Sequence, residues 1–592
     1  MKILSIILIT IVNSYWVLSQ SIPDNWLTHY EQSGFKETPH FAETMEYCRR
    51  LEKSSPWIDI SSFGKSPEGR DLFIVVASKD RAFNPTKARK TDKAILLVQC
   101  GIHAGEIDGK DAGLMLLRDI TITKTKSYLL DHVILLVIPI YNVDGHERFG
   151  PYNRINQNGP EEMGWRVTGQ NLNLNRDYMK ADAPETQAWL KMFNEWLPDF
   201  FIDAHVTDGA DYQHIVTYGI EKYLNIAEPV RSWVNEKYIP MISVLKTNGV
   251  PVAPYISLRD HLDPLKGLQS GVASPRLSTP YVALQNRPAL LIETHMMKDY
   301  KSRVEGAYQT IVATLELMNK EYLSLQKAVR QADERTIKNI ENPFSIRFQT
   351  VDVPNRTFHY LGFKQTSEPS DISGGTWIKY MKEPFEADIP HYDSVVVAKS
   401  VELPVAYLIP PQWQEVIKRL KLHGVRIGRL KKPTELEVEM YRFSNSKWQQ
   451  NPYEGRHSVT FSVDKINEKH TFPAGTAIIR LNQRAARVAI HALEPEAPDA
   501  FVAWGFFDAI FEQKEYTEDY VMEPIAREML ANDSTLKQEF ESKLKSDTTF
   551  AKNPFARLNF FYQHSPYWDK QVNLYPVARL IIDVRLETER ED

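Results

Sequence analysis

The chain has 592 residues, 43% of them hydrophobic and 25% charged, with a formal net charge of −5. That length exceeds one ordinary hydrophobic core, and the composition is that of a soluble globular protein. The absence of a basic tract argues against nucleic-acid binding, and two cysteines, Cys48 and Cys100, cannot build a disulfide framework or a zinc knuckle.

The N-terminal stretch MKILSIILITIVNSYWVLSQS has Lys2, an apolar run from Ile3 to Val12, and the small residue Ser19. It reads as a secretory signal peptide over residues 1–20, cleaved near Ser19 or Gln20, because the apolar run is too short to span a bilayer. Export to the periplasm or the medium follows, as a protein without a stable membrane span. Export would permit a disulfide, but Cys48 falls in a helical pattern and Cys100 ends a buried strand, so two buried free thiols are expected.

Helical periodicity covers Phe41 to Lys53, and GKSPEGRDLFIVVAS reads as a turn and a strand. Nearly continuous apolar runs at 94–100, 133–140, 200–204 and 289–293 read as strands covered on both faces. Helical segments at 109–119, 184–196, 222–247 and 300–335 alternate with them. The alternation predicts an α/β fold, a mixed and mostly parallel sheet flanked by helices, over residues 21–335. In such sheets ligands bind beyond the carboxyl ends of the strands. His103, Asn142, His205 and Glu293 all fall at or just after a strand end.

Past a boundary near 335–345 the texture changes, and residues 340–592 read as an accessory α+β domain. SVVVAKS and HSVTFSV read as strands, and AYLIPPQWQEVIKRLKLHGVRIGRL as strand, helix, strand, with Pro410 and Pro411 opening the helix and Gly424 closing it. Residues 516–548 read as largely helical.

His103 and Glu106 stand at H-x-x-E spacing, a close pair of metal donors, and His205 follows in FFIDAHVTDG. A catalytic zinc takes three such ligands and keeps one position for water. YNVDGHERFG supplies Asn142, Asp144 and Gly145; GWRVTGQNLNLNRDY supplies Arg166, Asn175 and Arg176; PALLIETHMM ends in Glu293. A carboxylate at the end of a buried strand is expensive unless it is paired or working.

Taken in order, H-x-x-E, N-x-D-G, W-R, L-N-R, strand–His and strand–Glu resemble the zinc carboxypeptidases of the carboxypeptidase A type, over roughly residues 25 to 325. The resemblance implies one Zn2+ per chain, held by His103, Glu106 and His205. It implies Glu293 as the general base that activates water, Arg166 as the cation that polarises the scissile carbonyl, and Asn175 and Arg176 as the clamp on a peptide's free C-terminal carboxylate. A guanidinium suits that clamp because its fork meets both oxygens. The family often has Arg inside the H-x-x-E turn, where this chain has Ala104 and Gly105. The family's mobile tyrosine has no counterpart at the expected place; Tyr281 is the nearest downstream candidate and Tyr255 the upstream one. Arg276, in the loop that shapes the family's side-chain pocket, is a candidate for selecting an acidic terminal residue.

Asp203 is expected on the opposite strand face from His205, in a structural role; His214 and His295 are expected either to support the site from behind the ligands or to be structural. Glu185 is expected in a helix's first turn, with Asp182 as its cap. NQRAARVAIHALEPEAPDAFVAWG resembles C-terminal extensions of bacterial exported family members and names no activity. The competing readings are a zinc amidohydrolase or deacylase, a hydrolase of cell-wall peptides, and a degenerate binding module. The "GKSPEGRDLFIVV" segment and Arg166 favour the peptidase. No sequence feature fixes the oligomeric state.

Overall fold

The protein is described here from a computed structural model covering residues 22–245 and 251–590. The segment read as a signal peptide and the end of the helix expected over 222–247 lie outside the described residues.

Among the described residues nine strands belong to the N-terminal half: β1 (Ile58–Lys65), β2 (Asp71–Ala77), β3 (Ala94–Cys100), β4 (Val133–Ile138), β5 (Phe200–Thr207), β6 (Val216–Ile220), β7 (Val252–Pro254), β8 (Leu268–Gln269) and β9 (Ala289–His295). Eight of them form one sheet in the order β1-β2-β4-β3-β5-β9-β6-β7. The central strands β4, β3, β5 and β9 run parallel. At the margins β2 meets β4, and β6 meets β9, antiparallel. The sheet is thus mixed and mostly parallel, as the apolar runs predict. The marginal strands β1, β6 and β7 are additional to that reading.

Among the described residues, the helices that pack on this sheet or against one another include α1 (Phe41–Ser54), α2 (Asp108–Thr121), α3 (Pro184–Trp196), α4 (Ser278–Leu284) and α5 (Tyr300–Asn339). Strand alternation sorts β3 between two cores. Leu96, Val98 and Cys100 join Leu114 and Leu117 of α2 and Val304 and Ile311 of α5. Ile95 and Leu97 face the other way and join Trp189 of α3. Cys48 and Cys100 are both free and buried.

That second core continues into the C-terminal half, where Tyr407, Ile409, Ile479, Ile490 and Phe501 belong to it. The C-terminal half begins with β10 (Phe344–Thr350), close after α5. It contains a long hairpin, β11 (Arg356–Pro369) with β12 (Thr376–Tyr392), and β13 (Val395–Val401) beside β10. Then come β14 (Ala406–Ile409), α6 (Gln414–Leu422), β15 (Gly428–Leu430), β16 (Thr434–Trp448), β17 (Val459–Phe472), β18 (Ala477–Arg480) and α7 (Ala486–Leu493). With β19 (Ala578–Leu580) and β20 (Thr588–Arg590), β14 to β18 build a seven-stranded sheet whose paired strands run antiparallel. Helices α8 (Asp519–Asn532), α9 (Ser534–Ser546) and α10 (Pro554–His564) carry a small separate core with Phe540 and Phe561. The strand–helix–strand unit is present and Gly424 closes α6 at a φ of +78°, but the helix starts at Gln414, so Pro410 and Pro411 lie in the connection before it and do not open it.

Among the described residues no helix is long and apolar enough to cross a membrane.

Candidate metal centre and active site

The buried strand β3 ends at Cys100, and Gly101 turns the chain at a φ of +66°. A tight turn follows, in which the Glu106 amide donates to the His103 carbonyl at 2.9 Å. Helix α2 begins at Asp108. Gly109 lets its first turn lie against β5, since a Cβ there would stand 2.4 Å from the Ala204 Cβ. The close approach brings Glu106 to His205. A Cβ on Gly105 would stand 2.7 Å from both the Gly164 carbonyl and Arg154 Cγ, so the turn leaves room only for hydrogen there.

His103 Nδ1 lies 3.1 Å from Glu106 Oε1, and His205 Nδ1 lies 3.0 Å from Glu106 Oε2. All three residues are buried, and one donor atom from each falls within 4.8 Å of the others. Two imidazoles and a carboxylate converging through Nδ1, Nδ1 and oxygen form a donor set that fits one zinc ion. This is the convergence expected from the H-x-x-E pair and the later strand histidine.

The charges around Glu106 are concentrated. Arg154 Nη2 reaches Oε1 at 2.8 Å and Arg166 Nη1 reaches it at 3.3 Å. Burial alone would raise the Glu106 carboxyl, but His103 and Arg154 outweigh it and hold it well below the usual carboxylate range. Burial lowers the His103 imidazole to about 4. Burial also acts to lower His205, yet Asp203 and Glu106 on its two sides hold it well above its ordinary value.

Glu293 lies beside His205 in the β5–β9 register. Its Oε2 is buried with no hydrogen-bond partner. Burial pushes its carboxyl up to about 8, with His205 acting against the rise and Glu106 and Asp203 for it. A cation on the neighbouring ligands would bring it down again.

These groups line one cleft of about 670 Å3, which also takes in Arg166, Asn175 and Arg176. The Asn175 side-chain oxygen accepts from the Ser278 amide at 3.0 Å, which fixes its orientation. Arg176 is half-buried and donates to the Asn175 carbonyl at 2.7 Å. Asn142 and Asp144 serve the scaffold. The Asn142 oxygen accepts from Gly145 N at 3.0 Å, while its amide donates to the Arg166 carbonyl at 3.2 Å. Asp144 accepts from Ser66 Oγ and from Arg70, both at 2.7 Å, and so holds the GKSPEGRD turn.

Four expectations need correction. Tyr281 is not in the cleft: it is fully buried, and its hydroxyl lies 2.8 Å from His423 Nδ1. Tyr255 lines the cleft instead. Arg276 is not a pocket residue either. Its Nε pairs with buried Asp499 at 2.7 Å and its guanidinium sits over Trp504, which ties the loop to the C-terminal half. Asp203 shares the face of His205, as a period of two requires, and accepts or shares a proton with His205 Nε2 at 3.0 Å. Finally, Asp182 does not cap α3, whose N-cap is Ala183. It pairs with Arg456 at 2.7 Å and Arg419 at 2.9 Å, while Asp177 accepts from the Asp182 and Ala183 amides. Glu185 does sit in the first turn, and His295 Nε2 lies 3.0 Å from the Ala210 carbonyl, away from the ligands.

Sequence reasoning missed Arg154, which arrives from an irregular loop without a motif. It also missed Phe348 and Thr350 of β10, which bring the C-terminal half to the cleft. Period-two reasoning, applied correctly, would have found Asp203.

Comparison with known proteins bears on this arrangement. Residues 44–219 match the family model described as zinc carboxypeptidase. The chain is 26% identical over 490 residues to carboxypeptidase 2 of Trichophyton rubrum, covering 78% of this chain and 83% of that protein. Carboxypeptidase 2 of Trichophyton equinum is 25% identical over 487 residues, with the same coverage. These relatives are fungal, and the likeness is too long to be confined to the N-terminal half. Among solved structures, a metallo-carboxypeptidase from Burkholderia cenocepacia aligns at 14% identity and a TM-score of 0.36, covering 47% of this chain and 69% of that one. Carboxypeptidase A from Helicoverpa armigera aligns at 16% identity and a TM-score of 0.34, covering 50% and 75%.

Proposed function

We propose that the chain is a metallocarboxypeptidase of the zinc carboxypeptidase type, exported, that removes the C-terminal residue of peptides. The observation that carries this reading is the arrangement of His103, Glu106 and His205 around one point, in the same cleft as the unpartnered carboxylate of Glu293.

A zinc ion on the three ligands supplies Lewis acidity toward water and the scissile carbonyl. The protein's own groups divide the remaining work. Glu293 takes the proton of the attacking water and returns it to the leaving amine, a role that suits a carboxylate free of other partners. Arg166, half-exposed at the cleft wall, sets a fixed positive charge where the carbonyl oxygen becomes negative. Asn175 and Arg176 hold the terminal carboxylate. Anchoring that group restricts cleavage to the last peptide bond, because an internal bond presents no carboxylate to the clamp. The N-terminal stretch over residues 1–20 supports export.

Blocked dipeptides test the reading. Hydrolysis of a free-acid substrate that a chelator abolishes and added zinc restores is expected, with no cleavage of the C-terminal amide. Glu293→Gln should lower kcat at least ~1,000-fold with zinc still bound, a loss in the range of an essential acid–base group. Equal cleavage of acid and amide, or loss of zinc in that variant, contradicts the assignment.

A further inference from the structure

The two histidines of the metal centre are supported differently. His103 Nε2, the nitrogen turned away from Glu106, lies 3.1 Å from Asn173 Oδ1, a neutral acceptor. The corresponding nitrogen of His205 lies 3.0 Å from Asp203 Oδ2, a carboxylate. Asp203 is fully buried and is held in turn. Gln99 Nε2 donates to its Oδ1 at 3.0 Å and Ser278 Oγ donates to its Oδ2 at 2.5 Å. Gln99 Nε2 also lies 3.0 Å from the Tyr178 hydroxyl. The Ser278 amide is the group that orients Asn175. A single residue at the start of α4 therefore touches both the support of a metal ligand and the substrate clamp.

We propose that Asp203 is a positioning residue that fixes the ring and tautomer of His205, so that the metal is anchored mainly from the β5 side while Asn173 gives His103 only a neutral brace. The inference rests on the reading of His103, Glu106 and His205 as the zinc ligands. Its physical basis is that a carboxylate on the outer nitrogen of an imidazole orients the ring and makes the inner nitrogen a stronger donor, which an amide oxygen does less. Ser278 and Gln99 matter because a carboxylate that could turn away would give neither effect. Asp203 itself touches neither metal nor substrate in this role.

The test measures zinc affinity of the full chain by competition with a chromophoric chelator, and the absorption bands of the cobalt(II)-substituted protein. Asp203→Asn should weaken zinc binding about 10- to 100-fold and shift the cobalt bands. Ser278→Ala, which keeps the aspartate and its contact with His205 but removes one of its two braces, should weaken binding in the same direction by less. Adding Asn173→Asp to Asp203→Asn moves the carboxylate behind His103 and should recover part of the lost affinity, which a purely structural role of Asp203 would not produce. Wild-type affinity in both Asp203→Asn and Ser278→Ala overturns the inference and leaves the zinc site standing. A wild-type protein that takes up no zinc overturns both.

Discussion

At the scale of single residues, the site is built from groups that would be costly if idle. Asp108 is buried and takes Arg303 Nε at 2.9 Å and Thr294 Oγ1 at 2.5 Å. Thr294 follows Glu293 directly, so this pair pins the end of β9 to the start of α2. Arg303→Ala should cost about 3–5 kcal/mol in chemical denaturation, because it leaves Asp108 buried without a cation. A loss under about 1 kcal/mol would contradict that assignment. Arg176 belongs to the substrate side. Arg176→Ala should lower kcat/KM for free-acid peptides about 10- to 100-fold, the worth of a charged hydrogen bond, with stability unchanged. The ligand pair was legible in the sequence because H-x-x-E is closed by a local turn. His205 and Glu293 were legible because each ends an apolar strand. Arg154 was not, since nothing local in PYNRINQNGP points to Glu106, and Arg276 misled because its partner Asp499 lies 223 residues away.

At the scale of elements, the site depends on close backbone approach. The turn after β3, the loop carrying Arg154 and Gly164, and the start of α2 crowd around Gly105 and Gly109. Gly105→Ala would force its Cβ into backbone and should cost about 1–3 kcal/mol of thermal stability and weaken zinc binding. Wild-type melting and affinity would show that the loop yields freely. The core strands β3, β4, β5 and β9 could be read from sequence because burial on both faces leaves a continuous apolar run. The strands β1 and β6 carry partly exposed residues, and β7 is three residues long, so neither rule of periodicity marks them.

At the scale of the molecule, the two halves share one core and a set of partly buried cross-links. Asp182 meets Arg419 and Arg456, Arg276 meets Asp499, and His423 lies 3.0 Å from the Met179 carbonyl. A chain ending near residue 340 would expose the part of this core around Met179 and Tyr281, which His423 of the C-terminal half contacts. It should lack the cooperative unfolding of the full protein, and a stable, soluble truncation would contradict the shared core. Acid acts on three buried histidines, one of which, His423, lies where the halves meet. Burial lowers His146 to about 3, His423 to about 4 and His491 to about 3. The unfolded chain binds those protons near pH 6.5 and the folded chain does not. Stability is therefore full above about pH 6.5 and falls as pH drops toward 4, by about 1.4 kcal/mol per pH unit for each histidine. Denaturation midpoints at pH 7 and pH 5 check the sign. The shared core was illegible in the sequence because a change of texture near residue 340 marks a change of architecture, whether or not the apolar surfaces part there.

Anomalous diffraction at the zinc edge, on crystals grown with one equivalent of zinc, tests the central claim most directly. One peak is predicted per chain, within coordination distance of His103 Nδ1, His205 Nδ1 and a Glu106 oxygen, with Glu293 facing it and not bound to it. A peak elsewhere, or zinc coordinated by Glu293 in place of Glu106, would contradict the account.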